Sequence, residues 1–167
     1  MNRKGFTLIE LLAVIILIAL IAVLIVPNVL DTMTKSKEAS YQLLLKNIVT
    51  SAKTYYEECE YGDLSNSTKY GKYACQIDIN NNTITTTLGK LANTGMLSVS
   101  DVDSEDKDKK VVLDPRDTKK DMSACQIKIT KQKEETNING IKTIKVTYIV
   151  TNEDKEDICP KEYGSEQ

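Results

Sequence analysis

Apolar positions are distributed unevenly along this chain. From Leu11 to Val26, sixteen consecutive residues are Leu, Ala, Val or Ile, and Phe6, Leu8 and Ile9 precede them. Phe6 to Val26 is 21 residues, about 32 Å as a helix, which matches the thickness of a hydrocarbon layer. On length alone the segment reads as a membrane-spanning helix. Arg3 and Lys4 ahead of it predict a cytoplasmic N-terminus and a head outside. The expected topology is a single pass through the cytoplasmic (inner) membrane with an extracytoplasmic head.

Periodicity changes after this run. Leu44, Ile48, Ala52, Tyr55 and Cys59 follow steps of three or four and share one helical face, so Lys35 to Glu58 reads as a second helical stretch. If the two are continuous from Phe6 to Glu58, the rod measures about 80 Å. Its second half needs cover from the chain's own sheet. Pro27 lacks an N–H and clashes with the preceding turn, so it marks either a kink or the membrane boundary. The polar stretch from Glu60 through Lys72 reads as an exit loop.

Beyond it the pattern turns to alternation. Tyr73 to Ile79 and Thr83 to Leu88 are strand candidates around an Asn-rich turn, and Leu88 to Leu97 suggests a short helix ending near Gly95. Asp101 to Lys110 is a charged loop, Val111 to Leu113 a short strand and Asp114-Pro115 a turn. Ala124 to Lys131 and Lys142 to Thr151 alternate well and pair through the Asn139-Gly140 region. The expected fold class is α+β: a long N-terminal membrane-spanning helix packed at its C-terminal half against an antiparallel β-sheet head. Three parts follow, a leader at 1–5, a transmembrane and filament-core segment at 6–30, and the helix continuation with its globular head at 31–167.

Composition narrows the chemistry. The formal charge is −2, from 22 basic and 24 acidic residues, and loss of residues 1–5 would remove Arg3 and Lys4 to leave −4. Such a balance offers no broad basic surface for phosphates, so nucleic acid is a poor partner despite the strip of Lys107, Lys109 and Lys110. The chain has no His, which removes the usual neutral-pH base and a common zinc ligand. No paired base and nucleophile emerges, and the expectation is a non-enzymatic protein without catalytic residues, metal or cofactor. Asp101, Asp103, Glu105, Asp106 and Asp108 supply oxygen ligands that suit calcium, but without EF-hand spacing they read as a solvated loop. Asn66-Ser67-Thr68 and Asn81-Asn82-Thr83 fit a glycosylation pattern that is weak evidence by itself.

One residue does not fit a plain anchor. Glu10 places a carboxylate beside the apolar run, at a cost of several kcal/mol unless it is neutralised, paired or interfacial. Snorkelling or protonation is one account. Another is a positive partner, and a cut after Gly5 would create an amine on Phe6, four residues from Glu10.

Lys4 and the following Gly5-Phe6-Thr7-Leu8-Ile9-Glu10-Leu11-Leu12 resemble the class III signal and cleavage site of type IV pilins and pseudopilins. The resemblance covers about the first 30 residues. It implies that a prepilin peptidase cuts between Gly5 and Phe6, that the new Phe6 amine is methylated, and that Glu10 assists assembly by pairing with the Phe6 amine of a neighbour. It implies a helix bend at Pro27. The partners it implies are the peptidase, copies of this chain and other pilins, an assembly platform with its ATPase, and a lipid bilayer before assembly.

Cys59, Cys75, Cys125 and Cys159 are too widely spaced for a zinc ribbon or a redox pair, and four cysteines allow three pairings. Cys75 shares a strand face with Ile77 and Ile79, Cys125 with Ile127 and Ile129, and Cys59 continues the helix stripe, so three of the four point inward. The favoured pairing is Cys59 with Cys75 and Cys125 with Cys159, with buried free thiols as the alternative. Similar pilins close a C-terminal loop with a disulfide, which supports the second pair by analogy. The function expected is a structural subunit of a type IV pilus or related filament, used in adhesion, motility or surface interaction. The alternative is a pseudopilin of a DNA-uptake or type II-like secretion system.

Overall fold

A computed structural model describes residues 7–62, 74–99, 101–138, 141–154 and 158–166. Its elements run α1 (Leu8–Tyr61), β1 (Thr83–Thr87), α2 (Leu88–Asn93), β2 (Leu113–Asp114), β3 (Asp117–Asp121), β4 (Gln126–Ile138), β5 (Ile141–Asn152) and β6 (Glu162–Glu166). The chain divides into two compact units, Met1–Ala39 and Ser40–Gln167. Helix α1 contributes to both, and its helical assignment continues through position 27.

The second unit is a two-layer α+β head. Its main sheet has the order β1-β4-β5-β6, with every pair antiparallel. Register aligns Ile84 with Ile129, Ile129 with Val150, and Lys131 with Tyr148, so these side chains share the inward face of the pleat. Against that face α1 buries Tyr41, Ile48, Val49, Ala52, Tyr55, Tyr56 and Cys59, a stripe at the three-and-four spacing of a helix with one covered side. Tyr56 meets Tyr148 edge-on at 5.5 Å between ring centroids.

Helix α2 closes one end of this core. The Thr87 hydroxyl caps it by accepting from the Lys90 N–H at 3.2 Å, and Leu88, Leu91 and Ala92 are buried. Gly89 donates its N–H to the Ser123 carbonyl at 2.8 Å. A Cβ at that position would meet the same oxygen at 2.9 Å, so the close backbone approach requires glycine. Two disulfides close the head: Cys59 in the last turns of α1 with Cys75, and Cys125 at the foot of β4 with Cys159.

Several expectations change. Tyr73 to Ile79 is not a strand among its described residues; it joins β1 only through an isolated bridge between Asp78 and Thr83. The C-terminal strand β6 and the exposed strand β3 are not legible as alternation. Tyr73 itself, most of the exit loop, Asn66 and the Asn139-Gly140 turn lie outside the described residues.

The largest correction concerns the membrane. Among the described residues no helix is long and apolar enough to cross one. This overturns the membrane-spanning part of the expected fold class and the expected single-pass localisation with its extracytoplasmic head. The physical reason is the length of the uninterrupted run. Leu11 to Val26 is sixteen residues, roughly 24 Å of helix, against the roughly 20 residues that a 30 Å hydrocarbon layer asks for. Glu10 bounds the run on one side and Pro27-Asn28 on the other. Thr7, counted into the longer span, stands outside the helix as its cap.

Candidate functional site

Thr7 and Glu10 form a reciprocal cap at the start of α1. The Thr7 backbone N–H and hydroxyl each donate to Glu10 Oε2 at 2.8 Å. In return the Thr7 hydroxyl oxygen accepts from the Glu10 N–H at 3.4 Å, and the Thr7 carbonyl accepts from the N–H groups of Glu10 and Leu11 at 3.2 Å. Thr-x-x-Glu in this geometry is a capping box, with Thr7 at the N-cap and Glu10 three residues in. Hydrogen bonds to the carboxylate favour its charged form, and the positive end of the helix dipole acts in the same direction. The acid therefore has local partners within its own chain. Hydrophobic periodicity does not single out Thr7; the signal that does is the [ST]-x-x-[DE] pattern before an apolar run.

Past the cap, α1 is apolar on every side. Leu11, Leu12, Val14, Ile15, Ile16, Leu17 and Ile18 go right round the helix, and the described large apolar side chains from Leu8 to Met33 range from 46% exposed at Val29 to 84% at Leu8. Ordinary surface helices keep one stripe apolar, and a helix apolar all round is one that something else surrounds. Ile25, Val29, Thr32 and Met33 outline a shallow groove of about 300 Å³. From Asp31 to Ser40 the helix is polar but still exposed, with Lys35 paired to Asp31 at 2.7 Å. Gly5 and Phe6, the expected cleavage site, lie outside the described residues, and so does the side chain of Pro27.

In the head, a second polar cluster ties the end of α1 to the sheet. Lys131, 7% exposed, pairs with Glu60 and reaches the Tyr61 hydroxyl at 3.3 Å. The rings of Tyr56, Tyr61 and Tyr148 surround its ammonium at 5.2 to 5.9 Å. Burial pulls the Lys131 pKa down, but the hydrogen bonds to Glu60 and Tyr61 outweigh it and hold the group above its ordinary value. Burial pushes Glu60 up, and the Lys131 and Tyr61 hydrogen bonds reverse that and hold it low. Lys131 has the same strand parity as Ile127 and Ile129, so its inward position is readable from alternation. Its partners are not.

The acidic loop is held by local bonds. Asp103 binds Lys109 at 2.8 Å and accepts from the Glu105 N–H at 2.9 Å. The Lys109 hydrogen bond, and next the Glu105 N–H, hold its carboxyl down at about 2. Among the described residues no three His, Cys, Asp or Glu side chains are placed to hold a metal ion.

The exposed apolar helix with its polar cap and the small disulfide-closed α+β head stand beside two sequence likenesses to pilin-like structural proteins. Residues 1–26 match the family model described as the prokaryotic N-terminal methylation motif. Over 66 residues, 39% of this chain, the sequence is 34% identical to the type IV major pilin protein PilA of Myxococcus xanthus (strain DK1622). The match spans about 30% of that relative's length. No solved structure matches the chain significantly. The likeness is consistent with a non-enzymatic structural subunit.

Proposed function

We propose that this chain is a subunit of a type IV pilus or related filament, cut after Gly5 and polymerised through its N-terminal helix. The observation that carries this reading is the exposure of the described apolar side chains around the whole circumference of α1 from Leu8 to Leu30. Sister helices of the same make-up would bury that surface at roughly 25 cal/mol per Å², a gain that grows with each added copy. Similarity to a major pilin favours a pilus subunit over a pseudopilin. In this account Glu10, aimed by Thr7, meets the Phe6 amine of a neighbouring copy and sets the axial register. An unpaired acid among packed helices would penalise misaligned neighbours. Filament growth draws on a dedicated assembly machinery and its ATPase, and the head forms the outer surface.

The test combines mass spectrometry of the mature N-terminus with filament assembly of Glu10→Ala. A mature chain beginning at methylated Phe6, together with loss of Glu10→Ala from sheared filaments, is the expected result. Retention of Met1 in the assembled protein would defeat the processing step. Normal incorporation of Glu10→Ala would defeat the register role.

A further inference from the structure

Every residue from 7 to 40 whose burial is described is exposed, and Tyr41, at 7%, is the first buried residue of α1. The next is Ile48. Leu44 and Leu45 between them are only half-buried, and Gln42, Leu43, Lys46 and Asn47 are exposed. Leu44 and Leu45 pack against the core from these half-buried positions, and Tyr41 is the one buried side chain of these two turns.

That tyrosine is met by an arginine bound to a buried carboxylate. The Arg116 guanidinium carbon lies 3.3 Å from the centre of the Tyr41 ring. Arg116 Nε donates to Asp114 Oδ1 and Oδ2 at 3.1 and 3.3 Å, Nη2 donates to Oδ2 at 2.8 Å, and the Arg116 backbone N–H donates to Oδ1 at 2.9 Å. Asp114 is 2% exposed. The turn between β2 and β3 therefore folds the arginine onto a buried carboxylate, fixing the plane of the guanidinium against the ring. The Arg116 side chain itself stays 41% exposed, so the stack contributes in the range of a partly open surface rather than of a desolvated pair.

We propose that Asp114 and Arg116 form a collar on Tyr41 that fixes the residue at which the head begins to cover α1. Without the collar, full burial begins at Ile48, seven residues later, about 10 Å along the helix, with only the half-buried Leu44 and Leu45 touching the core before it. In a filament, which rests on the assembly reading above, this collar sets how much of each helix is left for sister copies to surround. The collar itself is a property of the single chain, so its test is independent of assembly.

The experiment is hydrogen exchange by mass spectrometry on the full chain in detergent micelles. It compares wild type with Arg116→Ala, Arg116→Lys, Asp114→Asn and Tyr41→Leu. Arg116→Lys keeps the charge but loses the planar stack and the fork, and Tyr41→Leu keeps the burial but loses the ring. The collar requires exchange of the 41–47 amides to rise about fivefold in Arg116→Ala, Arg116→Lys and Tyr41→Leu, and by a smaller factor in Asp114→Asn. The 52–59 amides should stay within about twofold of wild type. Wild-type exchange at 41–47 in Arg116→Lys or Tyr41→Leu would overturn the proposal, because charge or burial alone would then suffice. So would an equal rise in both windows, which signals general loosening of the head.

Discussion

The two halves of α1 share one backbone geometry and solve opposite problems. From Leu8 to Leu30 the described apolar side chains go right round the helix and are all exposed. From Tyr41 to Cys59 the apolar residues narrow to one stripe, and the head's own sheet covers it. The second half is an ordinary amphipathic helix, stable through tertiary packing. The first is unfinished as a monomer surface, and only a cap of local hydrogen bonds marks its start. Within one helix, the width of the apolar stripe separates the part that folds the chain from the part that looks for partners.

Separating the halves should produce the largest effect. A chain of residues 40–167 retains the buried cluster and both disulfides. It should remain monomeric without detergent and melt in one cooperative transition, whereas the full chain should self-associate once detergent is removed. Size exclusion and calorimetry check this. A shortened chain that aggregates, or that melts without cooperativity, would place the source of association in the head and dissolve the contrast.

Within the head the disulfides come next. Cys125 and Cys159 are 34 residues apart and Cys59 and Cys75 are 16 apart. The chain-entropy model assigns the longer loop about 3.8 kcal/mol and the shorter about 3.1. Replacing both members of each pair with Ser should lower denaturant stability in that order. A larger loss for Cys59 and Cys75 would mean that their native-state role outweighs loop length, since Cys59 also belongs to the buried stripe of α1.

The Lys131 and Glu60 pair should matter less, but with a defined pH signature. Glu60→Gln leaves the Lys131 ammonium buried without its counter-charge, at a cost of about 2 to 3 kcal/mol given the partial exposure of the glutamate. Glu60 is held below its ordinary pKa. Its contribution is therefore present above the unfolded glutamate value of about 4.3 and is lost as pH falls through the lower folded value. Lys131 is held above its ordinary value, so its share is complete below the unfolded lysine value of about 10.4 and is lost as pH rises through the folded one. Stability curves against pH should show wild type and Glu60→Gln converging below pH of about 4 and separated on the plateau between. Parallel curves down to low pH would assign the loss to packing.

These contrasts also explain which features are legible in the chain's residue pattern and which are not. The run of apolar residues, the three-and-four stripe through Ile48 and Ala52, and the alternation of Ile127 and Ile129 are periodic signals, and periodicity maps directly onto faces. The edge strand β6 carries Gly164 at φ +113° and, among its described side chains, one buried residue, Tyr163, so it has no alternation to read. The Tyr73 to Ile79 segment alternates, yet its described part pairs only at Asp78, because its place beside β1 is set by the Cys59 and Cys75 bond and by the turn. Lys131, Glu60 and Tyr61 meet across 70 and 71 residues of chain, and no local pattern encodes such a meeting. At the N-terminus the reverse holds. There the signal is local, but the foreign charge of Glu10 overshadows the commoner pattern it belongs to, a Thr three residues ahead of an acid.

That pattern supplies the smallest effect and the finest test of the contrast. If Thr7 is a local cap on an otherwise unsupported helix end, Thr7→Ala should cost about 1 kcal/mol and speed exchange of the first helical amides, Ile9 to Leu11, by about fivefold. Thr7→Ser keeps an acceptor hydroxyl and should stay near wild type. Neither change should move the thermal midpoint of the head, because no described hydrogen bond links Thr7 to it. Glu10→Gln retains an acceptor oxygen but loses the charge, so it should fall between the two. Unchanged exchange in Thr7→Ala would show that the cap is not what holds the helix start. A shift of the head's midpoint would show that the two halves of α1 are energetically joined, and the division at Tyr41 would then describe burial without describing stability.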